Sequence, residues 1–221
     1  MCNRYTAGGK AEIRAYYLKR FGVVWDEDWN PYLNIPPMSR VPVITWEGGP
    51  KALLMRWGTQ SAMGLLMNAR SETLTTRRTW KDAVDTHRCI MAADGFFEWE
   101  TVGKAKLGHY FSVKDMPVIS IAAVWFPGDA AEPDRCVLVT SQPNEIVKPF
   151  HDRMPVILPA GTENDWLGDQ PLGQDRINEV CRPFDPARMN QWRVTPKMNS
   201  NRYQGADANA PWVEEKGLFD S

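Results

Sequence analysis

VISIAAVW (118–125) and RCVLVTS (135–141) decide how this chain is read. Both are short apolar runs rich in β-branched residues, bounded by turn residues, and both read as strands. On the amino-terminal side, RCIMAA (88–93) and HYFSV (109–113) have the same character; on the carboxyl-terminal side, so do MPVIL (154–158) and QWRVT (191–195). VPVITW (41–46) and KALLMRW (51–57) flank Gly48-Gly49-Pro50 and read as a hairpin. Residues 11–21 (AEIRAYYLKRF) space their apolar side chains helically, with Gly22 as a stop. Further helices are predicted around 76–86, 143–148, 162–168 and 174–181, the third with Thr162 and Asp165 as a variant capping box. Many strands at short intervals with a few helices between them predict an α+β fold. Its core would be a curved, mostly antiparallel, barrel-like sheet with flanking helices. No linker-like shift in composition divides residues 1–221, so one domain is expected, with an irregular tail from about Asn199.

The 221 residues are 43% hydrophobic and include ten tryptophans, enough for an ordinary core. A formal net charge of −1 argues against a protein that coats nucleic acid along its whole surface, because such binding rests on many cationic contacts to phosphate. A nucleic-acid site would have to be a local patch. The four cysteines, Cys2, Cys89, Cys136 and Cys181, are scattered without a CxxC pair or a Cys/His cluster. They predict reduced thiols and neither a metal site nor a disulfide framework. No run approaches membrane-spanning length and MCNRYTAGGK does not resemble a signal peptide. A soluble cytoplasmic protein, nucleoid-associated if bacterial, is the expectation, with no cofactor, no metal and no membrane partner.

Cys2 carries the most chemical information. A small residue at position two is a usual substrate for methionine removal, which would leave an amino-terminal cysteine. Its α-amine (pKa roughly 7.7–8.0) and thiol (roughly 8.5) would both be partly nucleophilic near neutral pH. Such a 1,2-aminothiol condenses with an aldehyde to an imine, and the sulfur then closes a five-membered thiazolidine. The plain alternative is a cysteine at position two by chance; a retained Met1 would block the amine.

Three other segments are polar within apolar surroundings. MNARSET (67–73) places Asn68, Arg70 and Glu72 at alternating positions, on one face if the chain is extended there. GFFEWE (95–100) sets Glu98 among aromatics, where desolvation would raise its pKa toward the range useful for proton transfer. HDRMPVIL (151–158) offers His151, Asp152 and Arg153 just before an apolar strand. The alternatives are, in turn, an ordinary strand end, a glutamate facing solvent, and a solvated loop. His87 and His109 lack such company and read as structural or surface residues.

Taken in order, CNRY (2–5), NIPP (34–37), RWG (56–58), NARSET (68–73), ADGFFEW (93–99), LVTS (138–141) and HDRMPVIL (151–158) resemble the SOS response-associated peptidase (SRAP) family, whose members process abasic sites. The resemblance implies a barrel-like α+β domain with a basic groove for single-stranded DNA containing abasic sites; a monomer is the separate expectation. It implies Cys2 as nucleophile, joined to the abasic sugar by a thiazolidine. It carries over Asn68, Glu98 and His151 as active-site polar residues: Asn68 to hold Cys2 or the sugar, Glu98 to shuttle protons, His151 to assist ring opening. Arg4, Arg70, Arg78 and Arg153 fall where phosphate contacts are implied, and Pro37, Trp99 and Thr140 at groove positions. The chain departs from the pattern at Asn3, where the family usually has glycine, and in a shortened 59–67 segment without wedge tryptophans. The same residues also support an amino-terminal-cysteine peptidase that removes its own Met1 or cuts other substrates. A non-covalent single-stranded DNA-binding module is the third reading.

Overall fold

A computed structural model describes residues 2–30, 32–61 and 64–213. The chain opens with β1 (Tyr5–Thr6) and α1 (Lys10–Phe21), then β2 (Arg40–Trp46) and β3 (Pro50–Trp57). A small hairpin, β4 (Thr59–Ser61) and β5 (Gly64–Leu66), leads to β6 (Asn68–Arg70) and α2 (Arg78–Thr86). There follow β7 (Arg88–Ala93), β8 (Gly95–Val102), β9 (Ala105–Val113), β10 (Ile119–Phe126) and β11 (Arg135–Ser141). The last elements are β12 (Met154–Pro155), β13 (Ile157–Leu158), α3 (Gln174–Val180) and β14 (Met189–Arg193). The fold is α+β, as the strand-rich pattern predicts. Among the described residues no helix is long and apolar enough to cross a membrane.

The main sheet is built on β10 and β11. Strand β10 pairs antiparallel with β7 along Ile119–Val124 and with β11 along Ala123–Phe126. Pairings then run from β7 to β2, from β2 to β3, and from β3 back to β11. The ring therefore closes, but through two parallel residue pairs only, Arg56↔Arg135 and Trp57↔Cys136. Strand β6 adds a second parallel contact to β11, so the core is a mixed sheet rather than a strict barrel. Both of its faces are buried, with 0% exposure at Val43 and Ile121 on one and at Ile90 and Val137 on the other. The second sheet, β1-β8-β9-β14, is antiparallel throughout and carries a small core of its own, with Phe97, Tyr110, Val194, Met198 and Ala208.

Local sequence explains most boundaries. Helix α1 buries Ile13 and Tyr17 and ends at Gly22, whose φ of 71° puts it in the left-handed region that favours glycine. Gly48, at φ 68°, makes the turn between β2 and β3. Other expectations are corrected. MPVIL splits at Val156, because β12 pairs with β11 while β13 pairs with β10. QWRVT is displaced: β14 spans Met189–Arg193, and Thr195 instead caps a 3-10 turn that begins at Pro196. Residues 143–148 form turns, not an α-helix; Asn144 Oδ1 accepts from Val147 N at 3.1 Å, and Pro149 follows. The 162–168 segment shrinks to a 3-10 turn, Glu163–Asp165. Its capping box does not form, because the Thr162 hydroxyl donates to Pro159 O at 2.8 Å. MNARSET is extended only through Arg70; Glu72 lies in a 3-10 turn, off the Asn68–Arg70 face.

Candidate functional site

The site is assembled by β8 and β11. Strand β1 pairs with β8 at Tyr5↔Phe96, and Phe97 N donates to Arg4 O at 3.0 Å. This pairing draws the amino-terminal segment along β8 and sets Cys2 beside Glu98. From the other side, β11 holds β6 parallel (Asn68↔Leu138) and β12 antiparallel (Thr140↔Pro155). One strand thus positions both Asn68 and the 151–153 loop. Cys2, Asn68, Glu98 and the His151–Arg153 backbone converge although they come from four distant stretches of chain.

The Cys2 side chain is 2% exposed, and burial first and the Glu98 carboxylate second push its thiol well above the ordinary range. Its one proton has two acceptors in reach: Arg153 O at 3.9 Å and the Glu98 carboxylate. When Glu98 is ionised, the charge-assisted bond to its carboxylate is the stronger. Asn68 Nδ2 donates to Cys2 O at 2.9 Å. Glu98 is 4% exposed, which settles the sequence alternatives in favour of a desolvated carboxylate; burial lifts it to about 7, with the Cys2 hydrogen bond opposing. A group titrating there can take and return protons near neutral pH. Glu98 Oε1 and Asn68 Oδ1 are buried acceptors with no hydrogen-bond partner among the described residues.

His151 Nδ1 accepts from Arg153 N at 2.9 Å and also lies 2.9 Å from Asp152 Oδ1. The two contacts require opposite protonation of Nδ1. The backbone donor is fixed, whereas the Asp152 side chain is 79% exposed and free to swing, so the backbone bond governs. The neutral ring then carries its proton on Nε2. Burial lowers the His151 pKa, which favours that neutral form.

A groove of about 880 Å³ runs from Glu98 and His151 along Trp99, Asn3, Pro196 and Asn199 to Lys104 and Lys106. Trp99 is held edge and face: its Nε1 donates to Asn199 Oδ1 at 2.8 Å, and the Arg4 guanidinium stacks 5.2 Å from its ring. Arg4 is further pinned by Asn34 Oδ1 (3.0 Å) and Met198 O (3.3 Å).

The other sequence candidates stand elsewhere. Arg153 is 6% exposed, and its guanidinium forks onto Glu72 at 2.7 and 2.8 Å and donates to Thr140 O at 2.6 Å. Thr140 is buried and accepts from Arg153 Nε at 3.3 Å, so it orients that arginine. Arg70 and Arg78 are exposed and have no carboxylate partner among the described residues. Pro37 lies half-buried in the turn before β2, outside the groove lining. Sequence reasoning missed Asn3, Lys104, Lys106 and Asn199 as groove residues. Gly103, at φ 59°, was the available signal, since it marks a hairpin whose second arm begins at Ala105. Among the described residues no group of three or more His, Cys, Asp or Glu could hold a metal ion. Met1, on whose removal a free Cys2 amine depends, lies outside the described residues.

A thiol near the amino end, a buried carboxyl raised to about 7 and an imidazole beside an open groove are brought together on a two-sheet α+β scaffold. The chain belongs to the SOS response associated peptidase (SRAP) family, whose model matches residues 1–201. It is 28% identical over 214 residues to YoqW of Bacillus subtilis (strain 168), named an abasic site processing protein, across 90% of this chain and 95% of that one. It is 29% identical over 151 residues to YedK of Escherichia coli (strain K12), which carries the same description, across 66% and 67% of the two chains. A solved structure of a protein from Bacteroides thetaiotaomicron shares the fold with a TM-score of 0.79 at 21% identity, covering 96% of this chain and 100% of that one.

Proposed function

We propose that this chain processes abasic sites: acting as one unit over its whole length, it binds single-stranded DNA and captures the lesion's aldehyde through Cys2. The observation that carries the reading is the seating of Cys2 against Glu98, a carboxyl at about 7, with its carbonyl held by Asn68. Loss of Met1 would free the α-amine. That amine adds to the open-chain aldehyde and expels one water to give an imine. The thiol then adds across the C=N bond, its proton ending on nitrogen, and the thiazolidine closes. Glu98 is suited to accept the thiol proton and return one to the amine. His151, with its proton on Nε2, is suited to donate toward the sugar ring oxygen as the ring opens. Arg70 and Arg78, unpaired with carboxylates, are the arginines available to phosphate, and Trp99 offers an apolar wall.

The peptidase reading draws less from the geometry, because the Asn68 amide that would serve as an oxyanion donor is engaged by Cys2 O. Self-cleavage that removes Met1 remains compatible with capture as a preparatory step. The test is an abasic single-stranded oligonucleotide, a denaturing gel and the intact mass of the product. Capture predicts an adduct at the summed mass less one water, absent in Cys2→Ala and absent when the α-amine is blocked. If no adduct forms on protein whose mass shows Met1 gone, the capture reading fails.

A further inference from the structure

We propose that the β8–β9 hairpin is a second, cationic arm of the groove, in which Lys104 and Lys106 take backbone phosphates of the DNA flanking the captured nucleotide; this rests on the single-stranded DNA reading above. Both lysines are exposed and line the same groove as Glu98 and His151. Glu98 is the sole carboxylate in that lining; it is 4% exposed, and neither lysine forms an ion pair with it. Lys104 has no acidic partner among the described residues, and the Lys106 ammonium donates only to the Thr101 hydroxyl, at 2.6 Å. Their charge therefore faces the groove without a counter-ion.

The arm is also rigid. Asn199 bridges its two strands, accepting from the Trp99 indole Nε1 on β8 at 2.8 Å while donating through Nδ2 to Lys106 O on β9 at 3.0 Å. The hairpin register is complete to its turn, from Glu98↔His109 to Val102↔Ala105. At about 3.3 Å per residue, the path from Glu98 to the tip is roughly 13 Å, room for a few nucleotides. A track of fixed cations beside an aromatic wall is how single strands are held without sequence preference. This arm supplies what the net charge of −1 denies the surface as a whole.

The experiment uses an undamaged, fluorescein-labelled oligo(dT), with anisotropy titrations across a sodium chloride series. Each phosphate contact to a single strand contributes about −0.7 to the slope of log K against log salt. The double variant Lys104→Gln/Lys106→Gln should flatten the slope by about 1.4, and Lys104→Arg/Lys106→Arg should keep the parent slope. A slope unchanged in the glutamine variant overturns the arm, as does weaker binding at an unchanged slope. The probe has no aldehyde, so the result is separate from capture. Should the parent form no adduct with an abasic strand, the capture reading fails, and the lysine slope still decides the arm.

Discussion

Glu98 shows how one position can be both legible and incompletely legible. Its place among aromatics in GFFEWE announces a desolvated carboxylate, and burial at 4% exposure raises it to about 7. What the sequence leaves open is the company it keeps, since Cys2 reaches it only through the pairing of β1 with β8. A consequence for stability follows. Between its ordinary value, roughly 4.3, and about 7, folded Glu98 holds a proton that the unfolded chain has lost. Stability therefore falls as pH rises through that window, by at most about 1.4 kcal/mol per pH unit. Glu98→Gln removes this penalty. It should match the parent near pH 4.5 and exceed it at pH 8 by about 2–3 kcal/mol in urea denaturation. Asp94, which burial lifts to about 6, contributes in the same direction but cancels in the comparison. In capture assays the same variant should slow adduct formation while leaving affinity for undamaged strand close to the parent's; unchanged adduct kinetics would remove Glu98 from proton transfer.

Strand β11 organises the site more than any single side chain does. RCVLVTS is readable as a strand from its β-branched run, and its bounds match. Its partners are not readable, because a short parallel contact with β6 and the split of MPVIL between β11 and β10 depend on where distant segments meet. The same limit explains Arg153. As part of HDR it resembles a phosphate ligand, yet Glu72, brought in by the 3-10 turn after β6, takes its fork. Two arginines should then behave oppositely. Arg153→Ala should lower stability by about 2 kcal/mol, below the loss for a fully buried pair because the Glu72 side chain is 42% exposed. Arg70→Ala should change stability by no more than about 0.5 kcal/mol and instead weaken strand binding with a flatter salt slope. Urea melts beside anisotropy titrations distinguish the two; a stable Arg153→Ala protein that binds DNA less tightly would restore that arginine to the groove.

Across the whole molecule, α+β character, most strands of the main sheet and the position of α1 are legible from periodicity, whereas in the second sheet β9 and part of β14 are legible and β1 and β8 are hidden. Its β1 is two residues long, and its β8 reads as a cluster of aromatics. Asn34 is the least conspicuous of its supports. With 0% exposure, it accepts from Arg4 and donates to Ser200 O (3.1 Å) and Tyr203 O (3.0 Å), joining the amino-terminal segment to the tail. Asn34→Ala would remove the partner of a half-buried guanidinium hydrogen and of two carbonyls. A loss of about 2–4 kcal/mol is expected in thermal or urea unfolding, with Arg4 released from Trp99. A loss under 1 kcal/mol would mean that solvent replaces these bonds readily.

Residues 200–213 form turns and irregular chain that pack along β14. Trp212 N donates to Arg193 O at 2.9 Å, Trp192 Nε1 donates to Asn209 O at 2.9 Å, and the Arg193 guanidinium lies 4.1 Å from the Trp212 ring. Strand β14 is the last in its sheet, and a bare outer strand is a template on which another chain can continue the hydrogen-bond ladder. The segment covers part of this outer strand, and that cover should disfavour such continuation. A variant that loosens it, such as Trp212→Gly, which removes the ring under Arg193, should show itself first as concentration-dependent light scattering, before any change in the chemistry at the opposite end of the chain.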